Sequence, residues 1–461
     1  MNRLPVVVKS LLLSALSLGV ADCYGVANSA GVHASSLKGS VSLMGKPVNG
    51  AAITLWQVSG GREPKQLRTL SSDKNGAFSI SVHPKEGSVH YLVTKGGRVN
   101  GAASDRLSML TVLDDKVSGS VVVNELTTVG SIWPNAQLLE GDALRGSASA
   151  LAIGSGQVRN LVNPGSGSYG ETLLRSSNLL NSETTVRINV LSNLLGLCGS
   201  AEKVQACEEL LNLTESENTL SALTSIARQP WKNVSQLYKL FDQSYPIDKT
   251  TELRSTATLP YLLFEPKSFS LSLVFNGGGA LGLGKLMFDG KGSMWSGTNW
   301  MPGSQSGVVN NIGGGVTHFG PGGIPLSPAI SGYNGQGING VGWGTGVSEK
   351  YAWVGAFNNM VGVFDLNDGK ALGPATIDGD VGQLQGVATA ANGDVWIADN
   401  TANHMIQFPG GDYTKGKRHT IDGLQAPFGV AVDAQNRVWV SSSYNNKLTV
   451  FPGDAPDQAK T

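Results

Sequence analysis

The feature that most constrains this chain is a repeat near its C-terminal end. Trp396 and Trp439 stand 43 residues apart, and the register holds on both sides of them. LQGVATAANGDVWIAD, starting at 384, aligns with APFGVAVDAQNRVWVSS, starting at 426. Gly386 pairs with Gly429, Val387 with Val430, Ala388 with Ala431, Asn392 with Gln435 and Val395 with Val438. Downstream, Phe408-Pro409-Gly410 pairs with Phe451-Pro452-Gly453. A further step back reaches Trp353, with Tyr351, Val354, Val361, Val363 and Phe364 in similar surroundings. Before that, Leu286–Trp295 repeats the turn that leads into the tryptophan.

A period of about 40–45 residues holding three or four short strands is the length of one β-propeller blade. Gly-Val-Ala-Val reads as the inner strand, where a small residue lets neighbouring units crowd together. Asn-Gly-Asp or Gln-Asn-Arg reads as a hairpin turn. Val-Trp-Ile/Val is the next strand, its Trp wedged between sheets. One such unit cannot bury its own faces, so neighbours must stack. The competing architecture, a plain β-sandwich, does not explain the spacing. GDVWIADNTANHMIQF and NRVWVSSSYNNKLTVF resemble NHL-repeat propellers and the related streptogramin lyase propellers, over roughly 275–455. About four blades are countable, fewer than in related rings. An incomplete ring, or closure by a strand at Phe269–Phe275, both stay open at this stage.

The first part of the chain reads differently. Over 37–95, Val41 and Leu43, then Ala51, Ile53 and Leu55, then Phe78 and Ile80 alternate as strand faces do. Asp73-Lys74-Asn75-Gly76 predicts a tight hairpin turn. Asp73 and Asn75 supply too few oxygens for a calcium site. GSVSLMGKPVNGAAITLW followed by SSDKNGAFSI resembles a carboxypeptidase regulatory-like domain, a transthyretin-type sandwich. That resemblance implies a fold and a stalk or adhesion-like role, not an activity.

Residues 125–250 carry helical periodicity. Val190, Leu191, Leu194, Leu195 and Cys198 form one apolar stripe, with Gly196 and Gly199 favouring its end. Further helices are expected around Cys207, Leu210 and Leu211, around Leu220, Leu223, Ile226 and Ala227, and from Pro230 through Val234, Leu237, Leu240 and Phe241. ELTTVGSIW, RNLVNPGSG and RINVLSNLLGLC resemble a helical module that precedes propellers in some exported bacterial proteins. The fold class expected is therefore multidomain and mainly β. The boundaries are a signal peptide at 1–34, a sandwich at 35–124, a helical module at 125–250, a linker and leading strand at 251–274, and a propeller at 275–461.

The signal reading rests on Arg3 and Lys9 followed by the apolar run Leu11–Val20, too short to span a bilayer. Cleavage is expected after Ala27, Ala30 or Ala34. A buried N-terminal helix is the alternative. Cys23 follows Asp22, which argues against a lipoprotein signal. Cys198 and Cys207 then remain as an even pair, and an oxidising compartment favours a disulfide between them. A metal or redox pair lacks nearby histidines and the C-x-x-C spacing. A periplasmic or secreted location follows.

Chemistry is harder to find. Lys plus Arg equals Asp plus Glu, 34 each, so no global field attracts nucleic acid. No P-loop, nucleophile elbow or zinc-helix motif occurs. His318, His404 and His419 are the histidines of the propeller region. His404 is the weak catalytic candidate for a streptogramin-lyase-type reaction, but the expected close spacing to a second histidine and an acid is missing. No cofactor or metal is implied. Binding is expected on rim loops after each Trp strand, at Asn299, Trp300, Asn358, Asn359, Asp399, Asn400, Tyr444 and Asn445. An Asn/aromatic rim suits a glycan or a peptide; turn-capping is the plainer role for the same residues. The expected function is an exported binding or scaffold protein, the alternative a propeller lyase.

Overall fold

The computed structural model describes residues 35–113, 119–254, 257–299, 315–338, 340–373 and 375–461. The signal-peptide reading, Cys23, His33 and Trp300 lie outside these residues.

Alternating sequence in the first segment produces two facing sheets. The strands are β1 (Ser35–Leu43), β2 (Lys46–Asn49), β3 (Ala52–Ser59), β4 (Lys65–Ser71), β5 (Ala77–Val82), β6 (Ser88–Lys95), β7 (Arg98–Val99), β8 (Ala102–Ala103), β9 (Ser108–Leu113) and β10 (Ser120–Val123). One sheet runs β10-β1-β2-β7-β8 with β5 also on β1; the other runs β4-β3-β6-β9. Val41, Leu43, Ile53, Leu55 and Ile80 are buried between them, as the alternation predicts. The turn at Asp73 differs from expectation. The Asp73 carboxylate accepts the N–H groups of Asn75 and Ala77, which makes the tight turn. Yet β4 pairs with β3 and β5 with β1, so the turn carries the chain from one sheet to the other and joins no hairpin.

The helical segment comprises α1 (Glu125–Asn135), α2 (Ala148–Leu161), α3 (Glu171–Leu174), α4 (Ser176–Leu179), α5 (Thr184–Gly196), α6 (Val204–Leu213), α7 (Thr219–Arg228) and α8 (Val234–Ser244). Two short hairpins interrupt it, β11–β12 at 139–144 and β13–β14 at 162–169. Asn124 opens α1 with a capping box closed by Thr127. Pro230 lies before α8 and outside it; Asn233, in a left-handed conformation, is the cap. Helix α5 ends at Gly196 and passes into a short 3-10 turn holding Cys198. Cys198 and Cys207 form a disulfide, with Cα atoms 4.8 Å apart.

The helices and the sandwich are not separate modules. Strand β9 is the edge of its sheet, and its free N–H groups would be orphaned if buried. Hydroxyls of two helices take them. Leu110 N–H donates to Thr128 Oγ1, Val112 N–H to Ser131 Oγ and Ser108 N–H to Thr219 Oγ1. One continuous hydrophobic core runs from Leu37 through the helices to Phe269. The segment 269–275, expected as a leading strand, has no sheet partner among the described residues and is bonded to the helices. Ser270 and Ser272 carbonyls accept from Arg187 and Thr184, and Asn178 brackets Val274 with two bonds. These polar side chains take the backbone groups that a blade would otherwise have paired.

The C-terminal region forms four successive antiparallel sheets among the described residues. They are β15–β17 (Met287–Phe288, Met294–Gly297, Val316–Phe319), β18–β20 (Val341–Val347, Tyr351–Ala356, Val361–Asp365), β21–β24 (Leu384–Thr389, Val395–Asp399, His404–Phe408, Lys417–Thr420) and β25–β27 (Pro427–Val432, Arg437–Ser442, Lys447–Pro452). The repeat is visible in the register. Bulges fall between Leu384 and Val387 in the third sheet and between Pro427 and Val430 in the fourth, at equivalent positions. Glycines of the first strand in the second and third sheets touch backbone of the next sheet. A Cβ on Gly344 would fall on the Val387 nitrogen, and one on Gly386 on the Phe428 carbonyl oxygen. Two of the tryptophans reach a phenylalanine one sheet on: Trp353 to Phe408 at 5.1 Å and Trp396 to Phe451 at 5.3 Å. Trp295, Trp353 and Trp396 are fully buried, whereas Trp439 in the last sheet is only partly so. The first sheet rests on α2, where Gln157 and Asn160 donate to the Pro321 and Gly322 carbonyls. The outward face of the fourth sheet, with Gly429, Ala431 and Leu448, is exposed. Among the described residues these sheets close into no barrel.

Two stability measurements test this layout. Replacing Cys198 and Cys207 by serine is expected to lower unfolding free energy by about 2–3 kcal/mol, read by urea denaturation with and without reductant. Gly386→Val is expected to cost at least about 1–3 kcal/mol, because the added methyls meet a main-chain carbonyl that cannot rotate away.

Candidate functional site

Most of the loop residues singled out by sequence are spent on backbone. Asn299 Nδ2 donates to the Val341 carbonyl at 3.0 Å and ties the first sheet to the second. Asn358 Nδ2 donates to the Gly337 carbonyl at 2.7 Å, and Asn359 takes a left-handed turn position. Asp399 is fully buried, and its carboxylate accepts the N–H groups of Gly382 and Ala402. Asn445 holds the Gly423 carbonyl and the Lys447 N–H. These are the turn-capping roles of Asn and Asp.

Asn400 and Tyr444 behave differently, because the structure brings them to one place. A pocket of about 320 Å³ opens at the rim between the third and fourth sheets, lined by Asn400, Thr401, Asn403, Gln425, Ala426 and Tyr444. Its shape is set by backbone. Asn403 and Ala426 both have positive φ, 60° and 47°, and Asn403 Oδ1 accepts the Ala426 N–H at 2.7 Å. Asn400 Nδ2 donates to Pro427 O at 3.1 Å, and Thr401 Oγ1 accepts from Gln383 N at 2.7 Å. Those bonds fix the side chains and leave the Asn400 carbonyl oxygen and the Asn403 amide nitrogen uncommitted. The Gln425 side chain is exposed, and Tyr444 is 83% exposed with its ring beside the opening. No charged side chain lines the walls. Sequence reasoning missed Thr401, Asn403 and Gln425. The repeat carried a signal for one of them, since Asn403 and Asn446 are 43 residues apart and share the left-handed conformation.

No histidine is among the residues that line this pocket. His404 begins β23, with Nδ1 3.4 Å from Thr420 Oγ1. His419 shares its Nε2 with Gln407 Oε1 at 3.0 Å, and burial lowers its pKa. His318 is buried and stacked on Trp295, ring centroids 3.7 Å apart, with neither ring nitrogen hydrogen-bonded. Burial without a partner pushes its pKa down from 6.5 to about 4, against a weaker opposing pull from Asp289. The Asp289 carboxylate instead takes Trp295 Nε1–H at 3.1 Å and the Lys291 and Ser293 N–H groups. None of these three histidines is hydrogen-bonded to a carboxylate.

His318 gives the region an acid sensitivity whose sign is fixed. Its folded pKa lies below its unfolded one, so the unfolded chain takes up the proton first. Its contribution is intact above about pH 6.5 and is lost as pH falls toward about 4. His318→Phe keeps a stacked ring without the titration. It is expected to flatten the stability–pH curve between those limits by up to about 1.4 kcal/mol per pH unit, measured by denaturant unfolding across pH.

The sequence matches no family model and no curated protein. Solved structures similar to part of it are of β-propeller type. A catalytically inactive virginiamycin B lyase from Staphylococcus aureus, solved with quinupristin, is 14% identical over 39% of this chain and 54% of that chain, TM-score 0.30. The WD40 repeats of RRP9 are 11% identical over 39% and 51%, TM-score 0.29. The nidogen/laminin complex is 13% identical over 47% and 72%, TM-score 0.31. The chain spans about half the length of the first two.

Proposed function

We propose that this is an exported glycan-binding protein, in which an open β-propeller array presents its ligand site at the rim between the third and fourth sheets. The observation that carries the reading is Tyr444, an 83% exposed aromatic ring beside side-chain amides whose remaining donors and acceptors are unclaimed. A neutral wall of amides, a hydroxyl and an aromatic platform suits a sugar, whose ring offers one apolar face and a rim of hydroxyls. A charged peptide would find no countercharge there. The Cys198–Cys207 disulfide supports an oxidising compartment. None of the helices in the described residues is long and apolar enough to cross a membrane. The surroundings of His318, His404 and His419 weigh against the lyase alternative, since a proton-transfer pair needs an acid within hydrogen-bond reach. In this reading the sandwich and helices act as a rigid mount, joined to the first sheet through α2.

A neutral-glycan array probed with the full chain, followed by titration calorimetry of the best hit, tests the proposal. Tyr444→Ala and Gln425→Ala are expected to weaken binding by about tenfold or more each while leaving thermal unfolding unchanged. The reading falls if no neutral glycan binds, or if Tyr444→Ala binds as tightly as the parent chain.

A further inference from the structure

A second cavity lies elsewhere. It measures about 880 Å³ and opens where the sandwich meets the helices. Its walls come from the β1–β2 turn at Met44 and Gly45, the β7–β8 turn at Asn100, the first residue of α1, the segment from Gly196 to Lys203, and Tyr245. Four of its lining residues are charged: Glu125, Glu202, Lys46 and Lys203. The walls therefore carry two acids and two amines, with no net charge.

Two of these four are set into the structure. Glu125 is 7% exposed, and its Oε2 accepts the Met44 N–H at 3.0 Å. The backbone N–H of Glu125 itself also donates to the carboxylate, and among the described residues no ion pair joins it to a cationic side chain. Burial holds its carboxyl above the usual carboxylate range. Lys203 is half-buried, with its ammonium 3.3 Å from the centre of the Tyr245 ring. It has no ion pair with a carboxylate; the neighbouring Glu202 is exposed and acts on it only through space. Tyr245 is locked by its hydroxyl, which donates to the Asn193 carbonyl at 2.8 Å. A buried carboxylate and a half-buried ammonium thus face one cavity, and neither is held in an ion pair among the described residues. Leaving buried charge unpaired is unfavourable unless something else supplies the partner. Leu43, Val99 and Met44 add an apolar stretch to the same walls.

We infer that this cavity binds a small zwitterion, a compound carrying both an ammonium and a carboxylate beside an apolar group, as a short peptide or amino acid does. The ammonium pairs with the Glu125 carboxylate and the carboxylate with Lys203, while the apolar part lies along Leu43, Val99 and Met44. The cavity is within the size range of small-molecule sites. The site is independent of the rim pocket, so the two readings fail separately.

The probe is the dipeptide glycyl-leucine, titrated calorimetrically into the full chain. Two analogues accompany it, one N-acetylated and one amidated at its carboxylate. The parent chain is expected to bind the dipeptide at millimolar or lower concentration and to lose about tenfold with either analogue. Glu125→Gln should weaken the dipeptide by about tenfold and leave binding of the N-acetylated analogue unchanged. Lys203→Met should do the same toward the amidated analogue. Tyr444→Ala should alter none of these. Should Glu125→Gln fail to fold, Lys203→Met and the two analogues on the parent chain still decide the matter. Absence of binding at millimolar concentration overturns the inference. So does binding that neither blocked analogue nor either substitution weakens.

Discussion

The structure depends on how the edge of one sheet is closed. Strand β9 is the last strand of its sheet, and it is buried. A buried edge needs partners for its N–H groups, and another strand is the usual source. Here the partners are hydroxyls of Thr128 and Ser131 on α1 and of Thr219 on α7. The hydroxyls are spaced to match alternate residues of the strand, at Leu110 and Val112. This makes the helices part of the sandwich. It also fixes α1, and through α1 the packed partner α2, on which the first C-terminal sheet rests.

From that mount the array grows by a second rule. The third and fourth sheets are each placed by glycine-to-backbone contact at the inner strand and by a tryptophan–phenylalanine contact further out. Glycine is required at 344 and 386 because any side chain would occupy the neighbouring main chain. That rule is the reason the C-terminal half could be read from sequence. A contact that admits one small residue and one large ring, repeated every 43 positions, leaves a spaced signature of Gly and Trp. The bulges recur with it, so even the local backbone of the unit follows the sequence.

Other parts left weaker traces, for identifiable reasons. The sandwich strands showed through alternation, but alternation does not say which strands share a sheet. Asp73 makes the tight turn that its sequence signals, and the chain still crosses between sheets there. The disulfide followed from cysteine count and spacing. The segment 269–275 looked like a strand because extended backbone and strand have the same composition. Its N–H and carbonyl groups are held by Asn178, Thr184 and Arg187, distant in sequence and polar, so no local pattern reports them. The fused core is invisible for the same reason: a threonine that closes a sheet edge reads as an ordinary helical residue.

The rim loops show how function separates from support within one residue type. Asn299, Asn358, Asn400 and Asn445 all follow Trp-bearing strands, and all donate to backbone carbonyls. What distinguishes Asn400 is its neighbours. Asn403 and Ala426 adopt left-handed conformations on opposite sides of one seam, and the hydrogen bond between them joins the two loops at the wall of the pocket. The cavity at Glu125 has the same origin at a different seam, between a β-turn with left-handed Met44 and the end of α5. In both places secondary structure has satisfied the main chain up to the boundary of a unit. The polar groups left over are those that face the neighbouring unit across a gap. A repeat predicts where such seams fall; the width of each gap depends on which residues of the two neighbouring units meet across it, which is why Gln425 emerges only once the two sheets are seen side by side.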